Sequence, residues 1–296
     1  MNLESYFHLY NLICERIKNM SFTFSDRHID EYRTRGYTVF RRILPAALID
    51  DLRRACNAAR SIARENNGPQ VQRLQPVENF DIDQQPFIDY AELAPLNDAI
   101  ARLLTPAYRH GQRQFMGILL EPAERPYCTP WHRDWRDNMA GLDLARWDAV
   151  FADDRYFNQV NCALYDDPCT WVVPGSHLRR DLPGEVARFP QRPIAGPELD
   201  GLSYAEREYA CLEYVRSMPG AAQLLLEAGD YCLYRNTLWH MGNYVPYRQR
   251  ATLHDAADTD EYMAWRKVSM EELRVRREAG AEVEMENPNK GSKKPS

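Results

Sequence analysis

The sequence lacks any apolar stretch long enough to span a membrane, which excludes a transmembrane helix. It lacks paired Cys-x-x-Cys spacing. Its seven cysteines are odd in number and scattered, the pattern of reduced thiols in a cytoplasmic protein rather than of a disulfide scaffold. It lacks a positive charge excess: 37 basic against 43 acidic residues leave a net charge of −6, with no basic field for nucleic acid. The first twenty residues have no basic start, apolar block or small-residue cleavage site, so a signal peptide is not expected. Met20 stands as an alternative start, because the strongly patterned sequence begins just after it. There is no internal repeat. What remains is a soluble globular chain, expected as a monomer or homodimer with no nucleic-acid or membrane partner.

Residues 25 to 35 read as a helix, with Ser25 as cap, Asp26 in the first turn and Gly36 as its stop. Tyr37-Thr38-Val39-Phe40 is rich in β-formers and reads as a strand. Pro45 suits the first turn of a second helix, from about 46 to 65, with Leu48, Leu52, Ala55, Ala59 and Ile62 as its apolar stripe. The polar stretch 70 to 92 reads as a long loop, either over a site or as an ordinary surface excursion. A third helix follows near 95 to 107, and Phe115 to Leu120 reads as a buried strand. After residue 156 come short strands: Val160 to Tyr165, Thr170 to Val173, Ala222 to Leu226, Tyr231 to Tyr234, Leu238 to Met241 and Arg250 to His254. That spacing predicts an all-β barrel or sandwich. An insertion over about 183 to 220 carries five prolines and a helical piece around 203 to 216, and residues 259 to 279 read as a C-terminal helix. The expected organisation is an N-terminal extension over 1–24, one domain over 25–285 with its β core at about 113–256, and a disordered tail over 286–296.

One stretch stands out, Trp131-His132-Arg133-Asp134. A His and an Asp two residues apart on an extended strand share a face. One imidazole and one carboxylate make two thirds of a 2-His-1-carboxylate facial triad, which holds non-haem Fe(II) and leaves positions open for a co-substrate and oxygen. His-x-Asp alone is a weak signal, and a solvated surface pair is its simpler explanation. The second His must come from a distant strand, and His177, His240 and His254 are the candidates. Arg250 follows His240 by ten residues, where a strand–turn–strand would return it beside the metal. A guanidinium there can grip a carboxylate with paired hydrogen bonds, as a 2-oxo dicarboxylate needs. Arg179 and Arg180 lie too near His177 for that geometry, and His254 has no basic residue before Arg266. His240 is therefore the expected third ligand. Singly, each His is more simply a structural one; the ordered set His132, Asp134, His240 and Arg250 is much harder to reach by chance.

At this point the sequence resembles the phytanoyl-CoA dioxygenase family of Fe(II)- and 2-oxoglutarate-dependent oxygenases. The resemblance rests on Gly36 to Pro45 followed by a helix, on Trp131-His132-Arg133-Asp134, on Trp171-Val172-Val173-Pro174-Gly175-Ser176-His177, and on His240 through Arg250. It spans roughly residues 25 to 255. It implies a mainly β fold with flanking helices, built on a double-stranded β-helix (jelly-roll, cupin-like) core. It implies that His132, Asp134 and His240 hold Fe(II), and that Arg250 binds the far carboxylate of 2-oxoglutarate. O2 would be the second co-substrate and ascorbate a stimulant. The implied reaction hydroxylates a small organic substrate while 2-oxoglutarate is decarboxylated to succinate and CO2. Asp134 matters here, because related halogenases have a small residue in its place. Thr170 has the spacing of a further 2-oxoglutarate contact, or is an ordinary β-forming residue. Asn161 either faces the cavity or lies outward.

The sequence departs from the family at three points. Asp166-Asp167-Pro168-Cys169 replaces a Gly-containing turn, Gly242 stands where a Ser is often found, and the Arg falls one residue early, which makes Arg248 a competitor of Arg250. Asp137 is the alternative carboxylate to Asp134. Arg133, Arg136, Arg179 and Arg180 either attract an acidic or acyl-CoA-like substrate or form a solvated rim. Trp131, Trp135, Trp171 and Trp239 either line a cavity or pack in the core. Two other functions compete: a non-catalytic metal- or ligand-binding protein on the same fold, which predicts a broken triad or a missing carboxylate anchor, and an interaction protein on a β-sandwich, which leaves the ordered set unexplained.

Overall fold

The structure is a computed structural model and describes residues 22–278 apart from 106 and 192. The expected tail over 286–296 and most of the 1–24 extension lie outside the described residues. Helix α1 (Asp26–Arg35) ends at Gly36, whose φ of 85° lets its N–H reach the Tyr32 carbonyl. Strand β1 (Tyr37–Phe40) follows, and α2 (Ala46–Asn67) starts after Pro45.

The stretch 70–92 is not the loop that its polarity predicts. It forms strand β2 (Arg73–Leu74), a short 3-10 turn and α3 (Gln85–Ala91), with Pro86 in the first turn of that helix. Leu74, Val77, Phe87 and Tyr90 are buried. Their irregular spacing among polar residues gives no periodic signal, and tertiary burial decides the structure. Helix α4 (Ala94–Leu103) completes the N-terminal layer.

The remaining strands are β3 (Gly117–Leu120), β4 (Tyr127–Cys128), β5 (Asn158–Ala163), β6 (Thr170–Val172), β7 (Ala222–Gln223), β8 (Tyr231–Arg235), β9 (His240–Tyr244) and β10 (Ala251–Ala256). They build a six-stranded sheet, β1-β8-β5-β10-β3-β2, and a four-stranded sheet, β4-β9-β6-β7. Every pairing in them is antiparallel. Alternation along the strands decides what faces what. Val160, Cys162, Tyr231, Leu233 and Leu253 pack outward against Leu52, Ala55, Leu96 and Ile100 of the helices. The intervening residues face the other sheet: Ala163, Cys232 and Tyr234 pack with Val172, and Asn161 and His254 line a cavity. Two antiparallel sheets closing on a polar interior, with helices outside, are a double-stranded β-helix.

Helices α5 (Leu144–Asp148), α6 (Pro183–Arg188), α7 (Tyr204–Arg216) and α8 (Asp260–Glu278) follow in order. The segment over 183–220 buttresses the small sheet. Cys211, Tyr214 and Val215 of α7 pack with Trp131 and Trp239. The Tyr214 hydroxyl accepts from the Trp131 N–H at 3.1 Å. This segment therefore fixes the residues that precede His132 and His240.

Candidate metal and co-substrate site

His132 and Asp134 do not lie on a regular strand. His132 pairs with His240 in a single antiparallel bridge, each N–H donating to the other's carbonyl at 3.0 Å. Asp134 opens the turn that follows, held by its N–H on the Asn236 carbonyl at 2.9 Å and by the Trp147 indole N–H on its own carbonyl at 3.1 Å. Trp135 continues the turn at φ 67°.

His132 Nε2 lies 3.3 Å and His240 Nε2 3.9 Å from Asp134 Oδ1. One donor atom from each of the three residues falls within 4.8 Å of the others. Each imidazole directs its Nδ1 at a carbonyl two residues back, Pro130 at 2.8 Å and Leu238 at 3.0 Å. An Nδ1–H donated there assigns the tautomer and leaves both Nε2 lone pairs for the shared centre. The Asn138 amide donates to Asp134 Oδ1 at 2.7 Å. Two imidazole nitrogens and one carboxylate oxygen, converging with orienting partners behind them, fit a divalent first-row metal.

The charges agree with that fit. Burial pushes the Asp134 carboxyl up, but the His132 hydrogen bond and the nearby imidazoles outweigh it and hold the group well below the usual carboxylate range. Burial, then the neighbouring His132, pull His240 down to about 4, so it is neutral at physiological pH. Burial also opposes the imidazolium of His132, but contact with Asp134 prevails and raises its pKa. A metal held here would compete with a proton chiefly at His132, so uptake measured against pH is expected to strengthen as pH rises through that raised pKa and to weaken below it.

The triad opens on a cavity of about 190 Å³. Arg250 lines it and is buried, its Nε donating to Asp167 Oδ2 at 2.8 Å and its guanidinium lying 4.9 Å from the Tyr244 ring centroid. Asp167 also accepts from the Thr252 hydroxyl at 2.6 Å and the Cys169 N–H at 2.9 Å. The unusual Asp166-Asp167-Pro168-Cys169 stretch thus supplies the counter-charge of Arg250. Arg248 is exposed and does not line the cavity. Thr170 and Asn161 both line it, with the Asn161 amide donating to the Thr170 hydroxyl at 3.1 Å.

Several lining residues receive no role in the site from the sequence, among them Arg73, Gln159 and Tyr244, and His254 is weighed there only as a metal ligand. His254 directs Nδ1 at Asn161 Oδ1 at 3.0 Å, and its Nε2 meets the Gln159 amide. Burial, then Arg73, hold it neutral. Arg73 enters from β2, and Tyr244 follows Gly242, where a Cβ would collide with the Tyr244 hydroxyl. The glycine clears space for that phenol. Residue alternation on β5 and β10, which places His254 opposite Asn161, is the signal that could have found His254.

Other candidates fall elsewhere. His177 Nε2 meets the Arg33 carbonyl at 3.2 Å, outside the cavity. Asp137 pairs with Arg136 and accepts from the Arg133 N–H. Of the four arginines, Arg180 is an exposed rim residue, and the other three are drawn into ion pairs and backbone contacts. Arg133 is fully buried and donates to the Ser176 and Thr237 carbonyls and to Asp181, while Arg136, Arg179 and Arg180 pair with Asp181, Glu185 and Asp148. None of the four tryptophans lines the cavity. Trp131 and Trp239 are core, and Trp171 and Trp135 pack against its edges. The Ser176 hydroxyl accepts from the Trp239 N–H at 2.9 Å, so the Pro-Gly-Ser-His turn braces the strand start that carries His240.

The sequence model of the phytanoyl-CoA dioxygenase family matches residues 32–244, a span that includes the triad and ends before Arg250. Among solved structures, HygX from Streptomyces hygroscopicus, with nickel and 2-oxoglutarate bound, is 14% identical with a TM-score of 0.54, covering 80% of this chain and 88% of its own. SnoK, a non-heme alpha ketoglutarate dependent carbocyclase from nogalamycin biosynthesis, is 18% identical with a TM-score of 0.51, over 80% of this chain and 85% of its own. AviO1 from Streptomyces viridochromogenes is 16% identical with a TM-score of 0.50, over 80% and 98%. At these identities the structural likeness shows the fold. No curated protein matches the chain.

Proposed function

Because the chain belongs to the phytanoyl-CoA dioxygenase family, we propose that its cavity is an Fe(II) and 2-oxoglutarate site in which His132, Asp134 and His240 hold the iron. The protein is an enzyme of the Fe(II)- and 2-oxoglutarate-dependent oxygenase class, acting on a small molecule. The observation that carries the site assignment is the convergence of three donor atoms within 4.8 Å at the mouth of a cavity that also holds a buried arginine. A non-catalytic member of the fold would have lost one of these, and both are present.

When bound, the iron supplies oxygen activation coupled to decarboxylation of 2-oxoglutarate, with hydroxylation the expected outcome. The chain's own residues do the rest. Pro130 and Leu238 carbonyls set the imidazole tautomers, and Asn138 steadies the carboxylate. Arg250 receives the far carboxylate of 2-oxoglutarate, with Asp167 and Tyr244 fixing its plane. Thr170 and Asn161 offer a hydroxyl and an amide along the same wall. His254, neutral and tied to Asn161, adds no charge that would compete for the co-substrate. Buried free thiols at Cys56, Cys128, Cys162, Cys169, Cys211 and Cys232 support a reducing, cytoplasmic setting. No helix among the described residues is long and apolar enough to cross a membrane.

The test is succinate release. The protein with Fe(II), 2-oxoglutarate and O2 should form succinate, and a panel of small molecules should raise the rate. Prior removal of metal with a chelator should abolish the signal and Fe(II) should restore it. Succinate release that persists without metal sinks the reading.

A further inference from the structure

Among the described residues six cysteines are free thiols, and two of them, Cys128 and Cys211, bring their thiols into hydrogen-bond contact. They meet along a seam between α7 and the segment that carries β4. Arg207, Cys211 and Tyr214 lie at i, i+4 and i+7 of α7 and so share one face. The Arg207 guanidinium donates to the Pro126 carbonyl at 3.4 Å, and the Tyr214 hydroxyl accepts from the Trp131 N–H at 3.1 Å. Between these two contacts Cys211 faces Cys128 in one apolar cluster. β4 is the edge strand of the small sheet, and Cys128 keeps 7% of its surface exposed there, a way in for a molecule as small as hydrogen peroxide. The hydrogen bond from Cys128, helped by Arg207, outweighs burial and holds the Cys211 thiol below its ordinary value, so Cys211 is the readier thiolate.

The other face of β4 belongs to the cavity. Tyr127 and Thr129, on either side of Cys128, both line it. Tyr127 stacks on Tyr244 with centroids 4.8 Å apart, and the Tyr244 ring lies 4.9 Å from the Arg250 guanidinium. The Thr129 hydroxyl accepts from the Gly242 N–H at 2.8 Å, just beyond His240. A sulfur–sulfur bond of about 2 Å is shorter than any thiol hydrogen bond, so closing it draws β4 toward α7 and strains these contacts.

We propose that Cys128 and Cys211 form a reversible disulfide on exposure to a peroxide, and that its closure disturbs the cavity wall at Tyr127 and Thr129. The Cys211 sulfur attacks one peroxide oxygen and the O–O bond breaks. The departing hydroxide takes up the Cys211 proton and leaves as water, with a sulfenic acid on Cys211. The Cys128 sulfur then attacks the Cys211 sulfur and the S–O bond breaks. A second water carries off that oxygen with the Cys128 proton. The two thiols lose two electrons and the peroxide gains them.

The test uses the full-length protein loaded with Ni(II), a redox-silent stand-in for iron. Mass spectrometry reads the disulfide, and calorimetric titration with 2-oxoglutarate reads the cavity. Hydrogen peroxide should lower the mass by two hydrogens, and peptide mapping should join Cys128 to Cys211. The oxidised protein should bind 2-oxoglutarate at least about tenfold more weakly, the scale of one lost contact, and dithiothreitol should restore both mass and binding. Cys211→Ala and Cys128→Ala should bind 2-oxoglutarate as the reduced wild type does, before and after peroxide. A peroxide-treated wild type without the Cys128–Cys211 link overturns the proposal, and so does a linked protein that binds 2-oxoglutarate unchanged. Equal weakening by peroxide in both alanine variants also overturns it, since oxidation elsewhere would then be the cause. If the reduced wild type takes up Ni(II) but not 2-oxoglutarate, the functional reading falls, while the mass measurement still decides whether the pair closes.

Discussion

Alanine at Arg250 is expected to destabilise the protein by about 3–5 kcal/mol and to weaken 2-oxoglutarate binding by roughly tens- to thousands-fold. Both effects have one origin. The Arg250 and Asp167 side chains are 3% and 1% exposed and 2.8 Å apart. Burial alone pushes the Asp167 carboxyl up, and Arg250 leads the interactions that bring it below its ordinary value. Without the guanidinium, Asp167 stays buried with the Thr252 hydroxyl and the Cys169 N–H as its remaining partners. Chemical denaturation reads the first effect and calorimetry of the metal-loaded protein the second. The double variant Arg250→Met/Asp167→Leu separates them: it should recover the stability lost to the unpaired carboxylate, less the cost of the Thr252 hydroxyl and Cys169 N–H that it leaves unpaired, and none of the 2-oxoglutarate binding. Arg250→Lys should recover only part of the binding, because an ammonium cannot make the paired contact. Arg248→Ala, at an exposed position, should stay within about 0.5 kcal/mol of wild type and bind 2-oxoglutarate normally. A large binding loss at Arg248 with none at Arg250 would reverse the assignment.

Asp134→Ala is expected to abolish turnover and to weaken Fe(II) binding by more than about a hundredfold, beyond what loss of an outer partner of a ligand usually costs. The variant removes the anionic donor and leaves His132 and His240 without the carboxylate that lies 3.3 and 3.9 Å from their Nε2 atoms. Asp137→Ala is the informative comparison. Asp137 is buried, pairs with Arg136 and accepts from the Arg133 N–H at 2.7 Å. Its loss should lower thermal stability and leave the metal stoichiometry at one. Metal retained by Asp134→Ala and lost from Asp137→Ala would identify the other carboxylate as the ligand.

The triad was legible because it depends on three side chains with few chemical alternatives, in motifs that each sit on or beside a strand. The local geometry was not: His132-Arg133-Asp134 looks like a strand, yet only His132 is bridged and the chain turns at Asp134. That Arg250 returns to the cavity of the triad was legible from its distance to His240. Its counter-ion Asp167 was not, because an ion pair across 83 residues leaves no trace in spacing. Arg133 and Arg136 illustrate the opposite limit. Arginines flanking a metal motif invite a role in substrate capture, but folding closes them onto Asp181 and backbone carbonyls. Arg73 and β2 were hidden for a further reason. Two strand residues among prolines and polar side chains have no periodicity of their own, and pairing with β3 alone makes them a strand. Gly242 reads as a departure in sequence and as a fitted pair with Tyr244 in three dimensions.

The site is tested most directly by a crystal structure of the protein grown without oxygen in Fe(II) and 2-oxoglutarate. One iron is expected with His132 Nε2, His240 Nε2 and an Asp134 oxygen each about 2.0–2.2 Å away, and the far carboxylate of 2-oxoglutarate on Arg250. Iron bound elsewhere, or 2-oxoglutarate in the cavity with its far carboxylate away from Arg250, would contradict it.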